Sequence, residues 1–362
     1  MVTRKKLRVG IAGYGMVGTR RRVFIDKHPH LQTVAVCDQN FKEAGTLPDG
    51  VRCYPHYRQL LEEPLDVLFV SLPVYMAPDV TIAGLKRGLH VFCEKPPGQT
   101  VEDVERVLAV KEKRPDLKLK YGFNHRYHDS VREALRILKS GRLGEIVTVR
   151  GVYGKSKVTP FEGSWRSERR YAGGGILLDQ GIHMVDLMRL FCGEFVEVKS
   201  FVSNRYWKCD VEDNAYALMR DERGRIAMLH SSATQWQHKF SLELYLTEGY
   251  LELQGLLTST KSYGEEKLVI GRRSSSSTGT EREEIITYLE DNSWCDEINE
   301  FADAIVGKTA ILHGGVKDAL ETMRLVYAIY WSDPDWRKAF RIRNPRLNGG
   351  RARGTGHAGG AT

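Results

Sequence analysis

The first third of the chain alternates short apolar runs with longer amphipathic segments. Apolar runs of strand length occur at 7–12, 33–37, 65–71, 90–93 and 117–123. Helical periodicity occurs at 57–62, 76–88 and 101–113. Apolar runs of this length that are rich in branched residues favour buried strands over helices. Because strands that alternate with helices build parallel sheets, the pattern predicts an α/β domain with a doubly wound parallel sheet.

The pattern changes after about residue 125. Helices are predicted at 130–140, 176–191, 294–306 and 315–331. Strands are predicted at 146–153, 195–206, 214–219, 225–231, 240–246 and 250–253. The serine- and charge-rich segment 272–284 is predicted to be an exposed loop. These elements indicate a C-terminal α/β domain built on a large, mostly antiparallel open sheet.

These patterns divide the chain into a first domain over 1–125, a second over 126–340, and a basic Gly/Arg-rich tail over 341–362. The tail contains five arginines and no acidic residue, and its composition predicts disorder. It accounts for most of the net charge of +8 and leaves about +3 for the rest of the chain. The charge distribution therefore argues against a specific nucleic-acid surface.

Three further features bear on the compartment. The chain has no apolar run long enough to cross a membrane, and its basic N-terminus has no small-residue cleavage signature. None of the six cysteines forms a C-x-x-C pair, which favours reduced thiols over a zinc site or a disulfide framework. A cytoplasmic protein without membrane contact is therefore expected.

A glycine-rich turn, Gly13-x-Gly15-x-x-Gly18, joins the first predicted strand to the first predicted helix. Gly13 permits the tight turn, Gly15 lets the backbone approach a diphosphate, and Gly18 lets the helix pack closely on the sheet. Met16 and Val17 begin the helix, whose free N–H groups favour an anion. The spacing predicts a dinucleotide site of the Rossmann type, with a purely structural corner as the alternative.

Asp38 follows the second apolar run, about 20 residues after the turn. A carboxylate there accepts hydrogen bonds from an adenosine ribose and repels a 2′-phosphate, which favours NAD over NADP. Other polar segments fall at carboxyl ends of predicted strands, where doubly wound sheets bind ligands. These segments supply further predicted cofactor contacts: Ser71, Pro73, Glu94, Lys95 and Asn124.

Asp179 and His183 are four residues apart in the predicted helix 176–191, so they lie on one face. Oxidation of an alcohol needs a base for the hydroxyl proton, and a neutral histidine is suited to that role. Lys95 either stabilises the developing alkoxide or, if burial lowers its pKa, acts as the base itself. Asp179 either holds the substrate or orients the imidazole. The alternative for the pair is a surface contact or a helix cap, and two ligands alone predict no metal site.

The segment 159–172 is polar, aromatic and arginine-rich and is predicted to face the substrate. Trp165 and Arg166 from this segment, with Arg126, are predicted substrate contacts. Arginine makes bidentate bonds to phosphate or carboxylate, so these side chains and Lys155, Lys157, Arg169 and Arg170 favour an anionic substrate. A solvated basic loop is the alternative. Tyr153, Trp165 and Trp236 are candidates for stacking on a sugar or base, although buried aromatics are the commoner case.

The glycine turn, Glu94-Lys95-Pro96, and Gly173-Gly174-Gly175-x-x-x-Asp179-x-x-x-His183 occur in this order over roughly residues 5–335. In this the chain resembles the Gfo/Idh/MocA oxidoreductases, the family of glucose–fructose oxidoreductase and inositol dehydrogenase. The resemblance implies a Rossmann domain and a C-terminal domain whose open sheet serves as an oligomer interface in a homodimer or homotetramer. It also implies that Lys95 lies beside the substrate hydroxyl and that Asp179 and His183 are the acid and histidine of the second motif.

The function implied by the resemblance is hydride transfer between a nicotinamide and a carbinol carbon of a sugar. Within it, the arginine-rich loop favours a nucleotide-activated amino sugar that is oxidised at its 3-hydroxyl. A dehydrogenase of a free sugar or an inositol is the first alternative. A catalytically silent NAD-binding sensor is the second, but such a sensor need not keep Lys95, Asp179 and His183.

Overall fold

The structure, a computed structural model, describes residues 6–156, 164–258, 260–274 and 280–345. The first sheet of this part of the chain has strands β1 (Leu7–Ala12), β2 (Leu31–Cys37), β3 (Gly45–Thr46), β4 (Arg52–Tyr54), β5 (Val67–Val70), β6 (His90–Cys93) and β7 (Leu119–Tyr121). Their spatial order is β3-β4-β2-β1-β5-β6-β7. All neighbouring strands are parallel except β3 and β4. The predicted doubly wound sheet is confirmed, and its order reverses between β1 and β5.

The second sheet has strands β8 (Ile146–Gly154), β9 (Phe195–Ser203), β10 (Asn214–Asp221), β11 (Ile226–Ser232), β12 (Lys239–Leu246), β13 (Gly249–Gln254), β14 (Glu266–Arg273) and β15 (Thr280–Tyr288). Their order is β15-β14-β13-β12-β8-β11-β10-β9. Only the pairing of β8 with β11 is parallel among these described strands. The large, mostly antiparallel C-terminal sheet is therefore confirmed.

The helices of the described residues are α1 (Met16–Lys27), α2 (Tyr57–Leu60), α3 (Ala77–Lys86), α4 (Val101–Glu112), α5 (Asp129–Lys139), α6 (Arg169–Ala172), α7 (Ile182–Cys192), α8 (Ser293–Val306), α9 (Val316–Ser332) and α10 (Pro334–Phe340). Short 3-10 turns span Asn124–Tyr127 and Trp165–Ser167, and a π-turn spans Leu177–Gly181. None of these helices is long and apolar enough to cross a bilayer.

The strands at the centre of the first sheet are buried on both faces, which explains their continuous apolar sequences. Helix α8 returns from the C-terminal half to cover one of these faces. The ring of Phe301 packs edge-on against Phe69 and Phe92, with centroids 5.8 and 5.6 Å away. The amphipathic period of α8 predicts a buried face but not which sheet it covers.

Burial alternates along the strands of the second sheet, because helices cover one face only. In β10, for example, Ala215, Ala217 and Met219 are buried, while Tyr216 and Leu218 between them are about half exposed. Helices α7 and α9 pack on the covered face. The opposite face carries a group of exposed apolar side chains, namely Val147, Phe201, Tyr216, Leu218, Met228 and Tyr245.

The structure differs from the sequence-based expectations in three places. The predicted helix 176–191 is divided into a π-turn and α7. The predicted exposed loop 272–284 is largely the antiparallel pair β14–β15, whose charged side chains suit an edge strand. The strands β3 and β4 are too short to produce a periodic pattern. Of the predicted tail, residues 346–362 lie outside the described residues.

Candidate active site

Two of the three glycines of the turn occupy positions that require glycine. Gly13 has φ +90°, and a Cβ there would lie 2.4 Å from the carbonyl oxygen of Ser71. A Cβ on Gly18 would lie 2.0 Å from the carbonyl oxygen of Gly13. Gly15, by contrast, faces open space at the N-terminus of α1, where Met16 is 90% exposed. The turn therefore leaves an accessible cradle of backbone N–H groups that fits a diphosphate.

Asp38 lies at the carboxyl end of β2, beside this cradle. Its carboxylate accepts hydrogen bonds from the backbone N–H groups of Tyr14 and Asn40, both at 3.0 Å. Asp38 thus ties the end of β2 to the glycine turn and holds a negative charge there. At the end of β5, the buried hydroxyl of Ser71 has no hydrogen-bond partner among the described residues. Pro73 lies in the loop that follows.

Glu94 has a protein partner that the sequence pattern did not indicate. Its Oε1 is 2.5 Å from Nε of Arg21, and Nη2 of the same guanidinium is 2.8 Å from Oε2 of Glu297 on α8. The Arg21 side chain is fully buried, although the sequence places it in a run of three arginines typical of a solvated helix face. Burial raises the pKa of Glu297 to about 7. The carboxylate of Glu94 is thus held in a buried ion-pair network directly before Lys95.

Lys95 and Asp179, which are 84 residues apart in the sequence, meet between the two sheets. The Lys95 ammonium donates to the backbone carbonyl of Asp179 and lies 3.8 Å from Oδ1 of its carboxylate. The two side chains are 16% and 22% exposed. Burial lowers the pKa of Lys95 against the opposing charge of Asp179. Burial alone would raise the pKa of Asp179, but the charges of Lys95 and neighbouring cations outweigh it and hold that pKa low.

Glu212 positions the segment that carries Asp179. Its buried carboxylate accepts hydrogen bonds from the N–H groups of Gly175 and Leu177, at 2.7 and 2.9 Å, and from the Tyr330 hydroxyl at 2.6 Å. A Cβ on Gly175 would lie 2.0 Å from the backbone oxygen of Glu212. The last glycine of the run is therefore required for this close approach. A single acidic residue in a loop carries no periodic signal, so Glu212 was missed.

His183 lies near Lys95. It makes no hydrogen bond to Asp179, which the predicted role of Asp179 in orienting the imidazole required. The structure has no hydrogen bond between these two described residues; the π-turn places Asp179 against Lys95. His183 is buried and stacks on His125, with ring centroids 3.7 Å apart and planes at 11°. Burial lowers the pKa of both imidazoles well below the ordinary value, and their neighbouring positive charges add to the effect. Both histidines are therefore neutral near pH 7.

Arg166 and Trp165 adjoin the same site. Together with Val74, Pro96 and Asp179 they line one small cavity. The Arg166 guanidinium stacks 4.3 Å from the centre of the Trp165 ring. Lys155, at the end of β8, is a third cation near Asp179, and burial lowers its pKa. One carboxylate therefore faces three cationic side chains.

Arg126 is not available to a substrate, and its prediction as a substrate contact is wrong. Its side chain is 4% exposed. Its Nε and Nη2 donate to Asp186 of α7, both at 2.6 Å, and its Nη1 donates to Asp318 of α9, also at 2.6 Å. The sequence predicts that Arg126 lies at a strand end, but not that two acids from distant helices neutralise it there.

The remaining candidates divide between the site and its surroundings. Asn124 donates its amide to the Ser293 hydroxyl at 3.1 Å, and Tyr153 is buried against His125. Arg169 packs on Phe340, away from Lys95. Trp236 is exposed beside other aromatic side chains. Lys157 lies outside the described residues.

The sequence matches one protein family in both halves of the chain. Residues 7–123 match the oxidoreductase family described as having an NAD-binding Rossmann fold, and residues 131–252 match the C-terminal domain of the same Gfo/Idh/MocA family. The chain belongs to this family. Its first part matches the NAD-binding domain of the family, as the sequence motifs predicted.

Individual relatives differ in their substrates. The 1,5-anhydro-D-fructose reductase of Ensifer adhaerens is 31% identical over 55% of this chain and 60% of its own length. A dTDP-3,4-didehydro-2,6-dideoxy-α-D-glucose 3-reductase of Streptomyces antibioticus is 28% identical over 71% of this chain and 78% of its own. The match thus spans less than two thirds of the first relative.

A solved structure has the same fold. Levoglucosan dehydrogenase in complex with NADH superimposes with a TM-score of 0.76 and is 19% identical, over 92% of this chain and 98% of the other. At this identity the likeness establishes the architecture alone. The substrate has to be argued from the side chains of the site.

Proposed function

We propose that this protein is an NAD-dependent dehydrogenase that transfers hydride between the nicotinamide and a secondary alcohol carbon of a sugar. The observation that carries the proposal is the meeting of Lys95 with Asp179 beyond the carboxyl ends of the first sheet, next to the buried His183. These groups come from both halves of the chain. An acid, a lysine and a neutral imidazole in one cleft are suited to proton transfer from a hydroxyl group.

The residues of the first sheet fit the cofactor. The open N–H groups at Gly15 and the start of α1 would hold its diphosphate, and Asp38 would accept hydrogen bonds from its adenosine ribose. The hydroxyl of Ser71 follows β5 and the side chain of Asn124 follows β7, on either side of β6, where the nicotinamide half would bind. When bound, NAD supplies the hydride acceptor for the alcohol carbon.

The protein groups handle the proton and the developing negative charge. The positive charge of Lys95 stabilises an alkoxide as the hydroxyl loses its proton. His183 is neutral near pH 7 and can receive that proton. Asp179 keeps Lys95 in place through its backbone carbonyl. Its carboxylate accepts from the Gln180 amide at 3.4 Å and can also accept a hydrogen bond from a second hydroxyl of the substrate.

The charge balance favours an anionic substrate. Lys95, Lys155 and Arg166 surround the single carboxylate of Asp179, so the cleft has an excess of positive charge. An anion that enters such a half-buried site gains more than it would in water, because the interactions are less screened. A nucleotide-activated amino sugar, oxidised at its 3-hydroxyl, carries that charge in its diphosphate. The name of the Streptomyces relative, a reductase at position 3 of a dTDP-sugar, supports this candidate.

A free sugar or inositol is the second candidate substrate. The relative from Ensifer is named for the reduction of an uncharged anhydro-sugar. For such a substrate, Asp179 would bind a pair of hydroxyls, and the excess positive charge would have no partner on the substrate.

A substrate panel tests these proposals. NADH formation is followed by absorbance with UDP- and dTDP-sugars, free hexoses and inositols, each at several concentrations. We expect the highest kcat/KM with a nucleotide sugar, and Arg166→Gln lowers that value about tenfold or more while it changes the value for neutral sugars little. Higher kcat/KM with a free sugar would favour the second candidate. Tight NAD binding without turnover of any alcohol would overturn both and favour a sensor.

We further propose that the protein forms a homodimer or homotetramer through the exposed face of the second sheet. The support is the row of apolar side chains on that face, which no described helix covers. We also keep the division into 1–125 and 126–340 as a proposal for the two functional halves, although α8 packs against the first.

A further inference from the structure

The imidazole of His183 lacks the hydrogen bond that usually orients a histidine base. In most catalytic histidines one ring nitrogen is held by a carboxylate or a carbonyl, and the other exchanges the proton. The Nδ1 of His183 is buried and has no hydrogen-bond partner among the described residues. If His183 exchanges a proton with a substrate, it does so through Nε2, and packing must orient the ring.

Two rings provide that packing. The imidazole of His125 lies flat against His183, with centroids 3.7 Å apart and planes at 11°. Phe123 meets His183 edge-on, with centroids 6.4 Å apart and planes at 88°. The flat contact with His125 covers one whole face of the ring and so restricts its tilt. The two histidines come from the end of β7 and the start of α7, and the stack therefore spans the two halves of the chain.

A chain of hydrogen bonds in turn fixes His125. The Ser293 hydroxyl donates to Asp291 at 2.6 Å, so its oxygen accepts from the Asn124 amide at 3.1 Å. The Asn124 carbonyl oxygen then faces Nδ1 of His125 at 3.2 Å, which requires a proton on that nitrogen. The unprotonated Nε2 accepts from the Tyr153 hydroxyl at 3.0 Å. The network selects neutral His125 with its proton on Nδ1.

We propose that His125 is a positioning residue for the base His183: its ring face, held by Asn124 and Tyr153, replaces the missing hydrogen bond at Nδ1. This proposal rests on the proposed dehydrogenase function. Removal of the His125 ring leaves His183 free to tilt. Its Nε2 is then no longer oriented toward the substrate hydroxyl. Small displacements of this kind lower kcat and leave cofactor binding unchanged.

The groups that face the stack are mainly cationic or neutral. Lys95 lies at the end of β6 and Lys155 at the end of β8, and both disfavour a positive charge on His183. Tyr153 of β8 contacts His125 directly. His128, at the start of α5, also faces the pair and is bonded to Glu266 of β14 at 2.7 Å. The stacked rings are thus kept unprotonated from several sides, so His183 carries no proton that would prevent it from receiving one.

Kinetics test the role in three variants and a control. We expect kcat to fall about 10- to 100-fold in His125→Ala and to recover to within a few-fold of wild type in His125→Phe, which restores an aromatic face. Tyr153→Phe, which removes only the hydrogen bond to Nε2, should be intermediate. His230→Ala is the matched control, because His230 stacks on Tyr216 at 4.0 Å and 13° but lies outside the cleft. Wild-type kcat in His125→Ala, or an equal loss in His230→Ala, would overturn the proposal.

A second measurement needs no substrate. In protein with 15N-labelled histidine, the NMR signals of His125 and His183 report tautomer and titration, with His183→Gln used for assignment. We expect the Nδ1-protonated tautomer for His125, and a His183 pKa that stays low in His125→Phe but rises toward 6.5 in His125→Ala as water enters. Unchanged His183 titration in His125→Ala would refute the positioning role. This result stands even if the wild type oxidises no sugar, an outcome that would refute the proposed function instead.

Discussion

At the scale of single residues, the side chains of the cleft are set by neighbours that are distant in sequence. Lys95 forms an ion pair with Asp179, and Glu94 forms one with Arg21. Arg126 forms ion pairs with Asp186 and Asp318. The difference between Arg126 and Arg166 shows why local sequence does not settle these roles. Both are arginines beside aromatic residues, yet one is neutralised by the buried Asp186 and the partly exposed Asp318, and the other lines the cavity of Asp179.

The charge of Asp38 should decide between NAD and NADP. Asp38→Asn keeps an oxygen that accepts from the Tyr14 N–H, so the glycine turn is preserved, and removes the charge that would repel a 2′-phosphate. We expect the ratio of kcat/KM for NADP to that for NAD to rise about tenfold or more, as measured by steady-state kinetics. An unchanged ratio, or a wild type that uses both equally, would contradict this role.

The pH dependence should distinguish the two roles of Lys95. Burial lowers its pKa below 10.5, so the ammonium loses its proton at a lower pH than an exposed lysine does. If the charge stabilises the alkoxide, kcat/KM falls as pH rises through that lowered pKa. We expect this basic limb in the wild type and its absence in Lys95→Arg, because arginine stays charged. A rise of kcat/KM over the same range would make Lys95 the base.

At the scale of elements, the glycine turn and the strand ends could be predicted from the sequence. The contacts between segments that are distant in sequence could not. The roles of Gly13 and Gly18 follow from their spacing in the sequence. The structure shows the close contacts that leave no room for a Cβ at either position. The π-turn at Leu177–Gly181 depends on Glu212, which lies in another segment, so helical periodicity alone predicted a regular helix. His125 could be placed at a strand end, but its stack on His183 requires the fold.

Glu212 should be essential for the shape of that π-turn. Glu212→Ala removes the acceptor for two buried N–H groups, and we expect it to lower the free energy of unfolding by about 1–3 kcal/mol per group left unpaired. Chemical denaturation monitored by circular dichroism measures this. Glu212→Gln keeps one acceptor and should lie between Ala and wild type. Equal stability of all three would show that the contacts of the carboxylate are dispensable.

At the scale of the whole molecule, the two sheets are joined by helices that cross between them. Helix α8 packs on the first sheet, and α9 contacts both α4 and β9. The groups of the cleft come from both sheets, so its geometry depends on how these helices fit. The family and the overall architecture could be predicted from ordered motifs, but the return of α8 could not, since an amphipathic helix does not identify its partner.

The exposed sheet face should hold copies of the chain together. Leu218→Glu places a charge among the exposed apolar side chains of that face, on β10, and we expect it to shift the protein to a smaller species in analytical ultracentrifugation. Val23→Glu on α1 is the control, because Val23 is exposed to a similar extent away from the sheet. A wild type that sediments as a monomer, or an effect of Val23→Glu as large as that of Leu218→Glu, would exclude this interface.

In the proposed reaction, His183 receives the hydroxyl proton and Lys95 stabilises the developing negative charge as hydride passes to NAD. The most direct measurement is single-turnover NADH formation with the best substrate of the panel, in wild type, Lys95→Ala and His183→Ala, alongside NAD affinity by calorimetry. We expect each variant to lose about two to four orders of magnitude in rate, with NAD affinity within a few-fold of wild type. A wild-type rate in either variant would contradict the claim for that residue.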